Sequence, residues 1–108
     1  MNYNVKFIPK FERELKYLAK KYPSLKSDFS KLLQSLMENP TQGVSLGNDC
    51  FKIRMAISSK GKGKSGGARV VTCLKVVQAT VYLLTIFDKS ENESISNNDL
   101  KELLKFIE

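Results

Sequence analysis

The chain has 108 residues, 42% of them apolar and 27% charged, enough to fold as one domain spanning residues 1–108 without a metal or disulfide staple and too apolar to stay disordered. Its net charge is +7 and it has no histidine, which removes the commonest general base and the commonest metal ligand. Cys50 and Cys73 are the only cysteines, no signal peptide leads the chain, and no apolar run approaches the roughly 18 residues of a membrane span; the expectation is a cytoplasmic protein with two reduced, half-buried thiols and no metal or cofactor.

Tyr3, Val5 and Phe7 alternate with Asn4 and Lys6, which predicts a short strand from Tyr3 to Ile8. Pro9 stops it and suits the first turn of a helix, whose apolar face is Phe11, Leu15, Leu18 and Tyr22. Pro23 ends that helix. Ser24 is placed to cap a second one, with Leu25, Phe29, Leu32, Leu33 and Leu36 on its buried face, and Asn39-Pro40 terminates it. Two amphipathic helices with so short a break predict a helical hairpin. Thr41 to Asp49 reads as loop. Phe51, Ile53, Met55 and Ile57 then alternate with Lys52, Arg54 and Ala56, a strand pattern. Ser58 to Gly67 is a polar loop, longer than most hairpin connections. Arg69 to Val76 and Thr80 to Phe87 are two more strands, the last so apolar that it reads as central and covered on both faces. Ser96-x-x-Asp99 opens a final helix whose buried face is Leu100, Leu103, Leu104 and Ile107. The order β-α-α-β-β-β-α is an α+β fold: a small, mostly antiparallel sheet with an N-terminal helical hairpin on one face and a C-terminal helix.

The charge is concentrated. From Phe51 to Phe87 there are seven bases (Lys52, Arg54, Lys60, Lys62, Lys64, Arg69 and Lys75) and no acid, whereas residues 88–108 carry three bases and six acids. Lys52 and Arg54 leave the same face of their strand, and Arg69 reaches that face if the next strand pairs antiparallel. Three cations converging on one patch suit the extra negative charge of a phosphoryl transition state. Lys60, Lys62 and Lys64, in a glycine-rich loop, are expected to contact a nucleic-acid backbone without reading sequence, with Lys75 alongside. The Gly-Lys-Ser at 63–65 is not a phosphate-binding loop, because Ser58 stands where the first glycine is needed and a strand follows. Asp88 and Lys89, at the end of the last strand, are further candidates for chemistry at the patch.

The two helices ending in Asn39-Pro40, the run Cys50-Phe51-Lys52-Ile53-Arg54, the Lys/Gly insert closing in Gly66-Gly67-Ala68-Arg69-Val70-Val71, and Val81 to Lys89 together resemble the RelE/HigB superfamily of type II toxin–antitoxin toxins, in its HigB-like branch. The resemblance implies a microbial RNase-type fold and a ribosome-dependent endoribonuclease acting on mRNA in the A site. The RNA 2′-hydroxyl would attack the adjacent phosphate and leave a 2′,3′-cyclic phosphate. It also implies a cognate antitoxin, of helix-turn-helix type, as partner. By position, Lys52 and Arg69 match phosphate-stabilising residues, and Arg54 stands where relatives carry a lysine thought to act as base. Arginine is a poor base, and no tyrosine follows Phe87 where some relatives have one. The expected assignment is therefore charge stabilisation by Arg54 and Arg69, Lys52 as base with those two cations nearby, Lys89 at the leaving group or the scissile phosphate, and Asp88 as a fallback base. Two other readings use the same residues differently: a ParE-like gyrase inhibitor on the same scaffold, which needs no phosphate pocket, and a non-catalytic RNA-binding module, which would want exposed aromatics.

Overall fold

A computed structural model describes residues 3–92 and 94–107. Strand β1 (Asn4–Phe7) runs into α1 (Pro9–Lys21), with Pro9 in the first helical turn after an extended Ile8. The Tyr22 amide closes on the Leu18 carbonyl at 2.8 Å, and Pro23 prevents continuation. Helix α2 (Leu25–Glu38) ends at Asn39, whose amide reaches the Ser35 carbonyl. Phe11 and Leu18 from α1 and Leu25, Phe29, Leu32 and Leu36 from α2 are buried, and the Phe11 and Phe29 rings lie 5.5 Å apart. Ser24 does not cap α2 with its side chain. Its hydroxyl is used in a tertiary contact instead, donating to Asp28 and accepting from the Ser59 amide.

Four more strands follow: β2 (Val44–Gly47), β3 (Cys50–Met55), β4 (Ala68–Lys75) and β5 (Thr80–Asp88). The sheet order is β1-β5-β4-β3-β2, with β1 parallel to β5 and every other pair antiparallel. Strand β2 corrects the expectation of loop from Thr41 to Asp49. It pairs with β3 through a tight turn at Asn48 and Asp49, whose φ values of 53° and 59° both lie in the left-handed region that such hairpins require. The central strand is β4, not the Thr80–Phe87 strand, although β5 is also flanked on both edges.

The unbroken apolar run of β5 has a local cause. Val71 pairs with Thr85 but Thr72 with Leu83, so Leu84 is an extra residue bulged out of the ladder. The bulge shifts the alternation, so that Thr85 and Phe87 share the face of Tyr82. Beyond Leu83 there is no β1 residue to pair with β5. Glu14 of α1 completes that edge, its carboxylate accepting from the Thr85 hydroxyl at 2.7 Å and the Ile86 amide at 3.4 Å while Lys10 neutralises it at 2.8 Å.

The hairpin α1–α2 covers the sheet face that bears Ile53, Met55, Ile86 and Asp88: Leu32 lines one cleft with Ile53 and Met55, and the Tyr22 hydroxyl bonds Asp88. Helix α3 (Asn97–Leu104) is capped by Ser96, which accepts from the Asp99 amide at 3.1 Å, and buries Leu100 and Leu103. It lies on the opposite face, where Leu103 shares a cavity with Thr85 and Phe87. Gly67 is the point where β3, β4 and β5 meet. A Cβ there would stand 2.1 Å from the Met55 carbonyl oxygen, and the Gly67 carbonyl accepts the Lys89 amide at 3.1 Å. Gly67→Ala is expected to lower stability by about 3 kcal/mol, because backbone rather than a flexible side chain would have to yield; urea unfolding measures it.

Candidate nucleic-acid interface

Register sets the site. Arg54 pairs with Arg69, which pairs with Phe87; Lys52 pairs with Val71, which pairs with Thr85. Cross-strand partners share a face, so Lys52, Arg54 and Arg69 emerge together, in two rows about 7 Å apart. The two arginines are directly opposed, with no carboxylate in their row. Arg54 is exposed and Lys52 half-buried. Because β2 pairs no further along β3 than Lys52, residues 53–55 form an open rim. There Arg54 lines a cleft of about 300 Å³ with Lys64 and with Lys31, Ser35 and Gln42 from the α2 side. Lys31 escaped the sequence reading because it is one polar residue among several on the outer side of α2, and only packing brings it to this rim.

Arg69 is placed differently from Arg54. It is only 5% exposed, and its guanidinium donates to the carbonyls of Lys64 at 3.0 Å, Ser65 at 3.1 Å and Ala68 at 3.2 Å. Burial, and then the Arg54 charge beside it, draw the guanidinium below its ordinary pKa, yet an arginine remains charged at neutral pH. Arg69 is thus the brace of the Lys/Gly loop as well as a charge on the face.

The remaining candidates separate. Lys62 and Lys64 stand exposed on the loop. Lys60 does not: its amine forms an ion pair with Asp88 at 2.8 Å and lies 5.4 Å from the centre of the Tyr22 ring. Lys75 is six residues along β4 from Arg69, about 20 Å away, beside Lys101 and Lys105. Lys89, half-buried, is held at the base of the loop by the hydrogen bond its backbone amide donates to the Gly67 carbonyl. Asp88 points to the helical face, away from the arginines, since its register partner is Ala68.

Asp88 is fully enclosed and accepts from Lys60, the Tyr22 hydroxyl and the Ser90 amide. Burial alone would raise its carboxyl, but the hydrogen bonds from Lys60, Tyr22 and Ser90 outweigh that and hold it well below the usual carboxylate range. Asp28 repeats the arrangement nearby. Burial opposes its charge, and bonds from the Ser58 hydroxyl at 2.6 Å, the Ser58 amide at 2.9 Å and the Ser24 hydroxyl at 2.8 Å prevail, so its carboxyl too is lowered. A carboxyl lowered on folding stabilises the fold fully above its unfolded value and loses that contribution as pH falls toward the folded one. The wild type is therefore expected to lose stability as pH drops below about 4. Asp88→Asn, which strands the Lys60 charge, is expected to be about 3 kcal/mol less stable at pH 7 and less sensitive to pH below 4. Urea unfolding of both proteins across pH 3 to 7 checks this.

Known proteins place this geometry. The family described as RelE toxin of the RelE/RelB toxin–antitoxin system matches residues 11–107. Among solved structures, an arginine-substituted form of the Escherichia coli toxin RelE in the free state superposes with a TM-score of 0.64 at 22% identity, covering 100% of both chains. The intact E. coli RelBE toxin–antitoxin complex gives a TM-score of 0.61 at 19% identity over 80% of this chain and 95% of that one. The RelBE2 toxin–antitoxin complex of Mycobacterium tuberculosis gives 0.59 at 17% identity over 82% and 92%. At these identities the structures establish the fold, and the family match extends over most of the sequence: the chain belongs to the RelE toxin family of toxin–antitoxin systems.

Proposed function

We propose that this toxin is an endoribonuclease that cuts mRNA in the ribosomal A site and so blocks translation in the cytoplasm. The observation that carries the reading is the Arg54–Arg69 row with Lys52 behind it. Like charges set directly opposite one another destabilise a sheet. No carboxylate in the row offsets them. A polyanion seated there would relieve the repulsion, and a site kept at a cost to the fold is where function is expected.

In the proposed reaction the Lys52 amine, in its neutral form, takes the proton of the RNA 2′-hydroxyl. The 2′-oxygen attacks the neighbouring phosphorus. Lys89 gives a proton to the departing 5′-oxygen, leaving a 2′,3′-cyclic phosphate and a 5′-hydroxyl. Arg54 contacts the phosphate directly. Arg69 adds charge from beneath and holds the loop that carries Lys62 and Lys64, which contact the RNA backbone. Asp88 takes no part, since it is paired with Lys60 on the far face. With no histidine and no free carboxylate among these groups, the chemistry leans on a substrate positioned by the ribosome. The partner that restrains the toxin would be a cognate antitoxin of helix-turn-helix type with an acidic segment over this face.

Arg54→Ala is expected to lower cleavage of ribosome-bound mRNA at least about 100-fold while leaving the melting temperature nearly unchanged, because Arg54 is exposed. Arg69→Ala is expected to lose activity and also a few degrees of melting temperature, through its bonds to the loop. Full activity in Arg54→Ala would remove the phosphate-contact role.

Mapping 5′ ends of cellular mRNA after brief induction is expected to show cuts phased with the reading frame, and purified toxin is expected to cut mRNA only on translating ribosomes. Equal cutting of free RNA would refute ribosome dependence. Loss of gyrase activity without phased cuts would replace the nuclease reading.

A further inference from the structure

The face that carries Lys52 and Arg54 also carries two thiols for which the proposed reaction has no use. Cys50 and Cys73 are register partners across β3 and β4 and lie side by side on one face. Directly opposed residues of an antiparallel ladder have Cα atoms about 4.5 or 5.5 Å apart, and both separations fall in the window of roughly 4.4–6.8 Å that a disulfide requires. The sulfurs converge on one acceptor, the Asn48 carbonyl oxygen, 3.5 Å from Cys50 Sγ and 3.8 Å from Cys73 Sγ. Both residues are buried and both thiols are free. The geometry points to Cys50 and Cys73 as a site of reversible oxidative modification, which closes into a cross-strand disulfide when a hydroperoxide reaches it.

The two thiols are not equivalent. The neighbouring Cys73 and burial push the Cys50 thiol up, whereas the neighbouring Cys50, against burial, draws Cys73 down with the Lys75 charge assisting. Cys73 lies two residues from Lys75 on the same face of β4, so in the proposed sequence it is the sulfur that attacks first. Its thiolate displaces hydroxide from hydrogen peroxide as the O–O bond breaks, giving a sulfenic acid, and the hydroxide takes up a proton to become water. Cys50 sulfur then attacks Cys73 sulfur. The S–O bond breaks, and the second hydroxide leaves as water with the Cys50 proton. Two thiols and one peroxide give one disulfide and two waters, the sulfurs losing the two electrons that the peroxide gains. A dithiol reverses it by exchange. A cleft of about 430 Å³ lies beside the pair, lined by Asn48, whose carbonyl both sulfurs contact, by Lys75 and by the α3 residues Lys101 and Leu104. The bond would enclose residues 51–72, and with them Lys52, Arg54, Lys62, Lys64 and Arg69, fixing the register of the two strands that carry the cationic face.

The test treats the purified chain with hydrogen peroxide, alkylates it under denaturing conditions and maps its peptides. The expected product is a Cys50–Cys73 linked peptide pair, lighter by two hydrogens, absent after dithiothreitol. It should be accompanied by a melting temperature roughly 5–10 °C above that of the reduced chain. In Cys50→Ala, oxidation is expected to stop at a Cys73 sulfenic acid trapped by dimedone, with no thermal gain. The inference is overturned if both wild-type thiols remain alkylatable at peroxide levels that oxidise methionine, if linkage forms only between chains, or if either thiol passes to sulfinic acid without the disulfide. These readouts concern the thiols alone and do not depend on nuclease activity.

Discussion

The turn Ser58–Lys60 is gripped by two buried carboxylates, and the course of the loop that carries Lys62 and Lys64 depends on that grip. Asp28 holds Ser58 and Asp88 holds Lys60, one carboxylate from a helix and the other from the end of a strand. Buried ion pairs give little net stability, because removing two charges from water offsets most of their attraction. Their use here is in specificity. Satisfied on every side, the two carboxylates leave the chain one way to exit β3, and the loop that follows is set over Arg69 rather than free in solvent. The same grip sorts three similar lysines, turning Lys60 toward the helices and leaving Lys62 and Lys64 outward.

Arg69 works from the other side of that loop. Its guanidinium donates to three backbone carbonyls, so a surface segment rich in glycine and lysine gains an internal scaffold without any acidic residue. A carboxylate, which only accepts hydrogen bonds, could not brace these carbonyls, and its charge would weaken the positive field of the face. Using a buried cation as the brace keeps the positive potential and the loop geometry in one side chain. Arg54, across the ladder, is exposed, and in the proposed reaction it is the arginine that meets the phosphate.

Much of the fold was legible because its signals are local. Proline at 9, 23 and 40 and the apolar spacing of α1, α2 and α3 mark the helices, and the alternation from Phe51 to Met55 marks β3. The face shared by Lys52, Arg54 and Arg69 was also legible, since period two plus antiparallel pairing leaves few options. Strand β2 was missed because its four residues are bounded by glycines and carry a weak pattern; Asn48-Asp49, tolerant of left-handed backbone, was the available signal. The apolar character of β5 marked a strand inside the sheet and covered on both faces, as it is, although the middle position belongs to β4 and the bulge at Leu84 was not legible.

By itself the sequence determined the helices, the strand faces and where the charge accumulates, because helix period, strand alternation and composition are properties of neighbours along the chain. Tertiary structure alone decided which charged groups are free to act. Asp88 and Lys60 lie 28 residues apart and each is promising in isolation; packed together they neutralise each other on the wrong face. Arg69 becomes a brace only once the loop folds back on it, and Lys31 joins Arg54 only once α2 docks beside the rim. Pairing and burial of charge depend on contacts distant in sequence, and no local pattern encodes them.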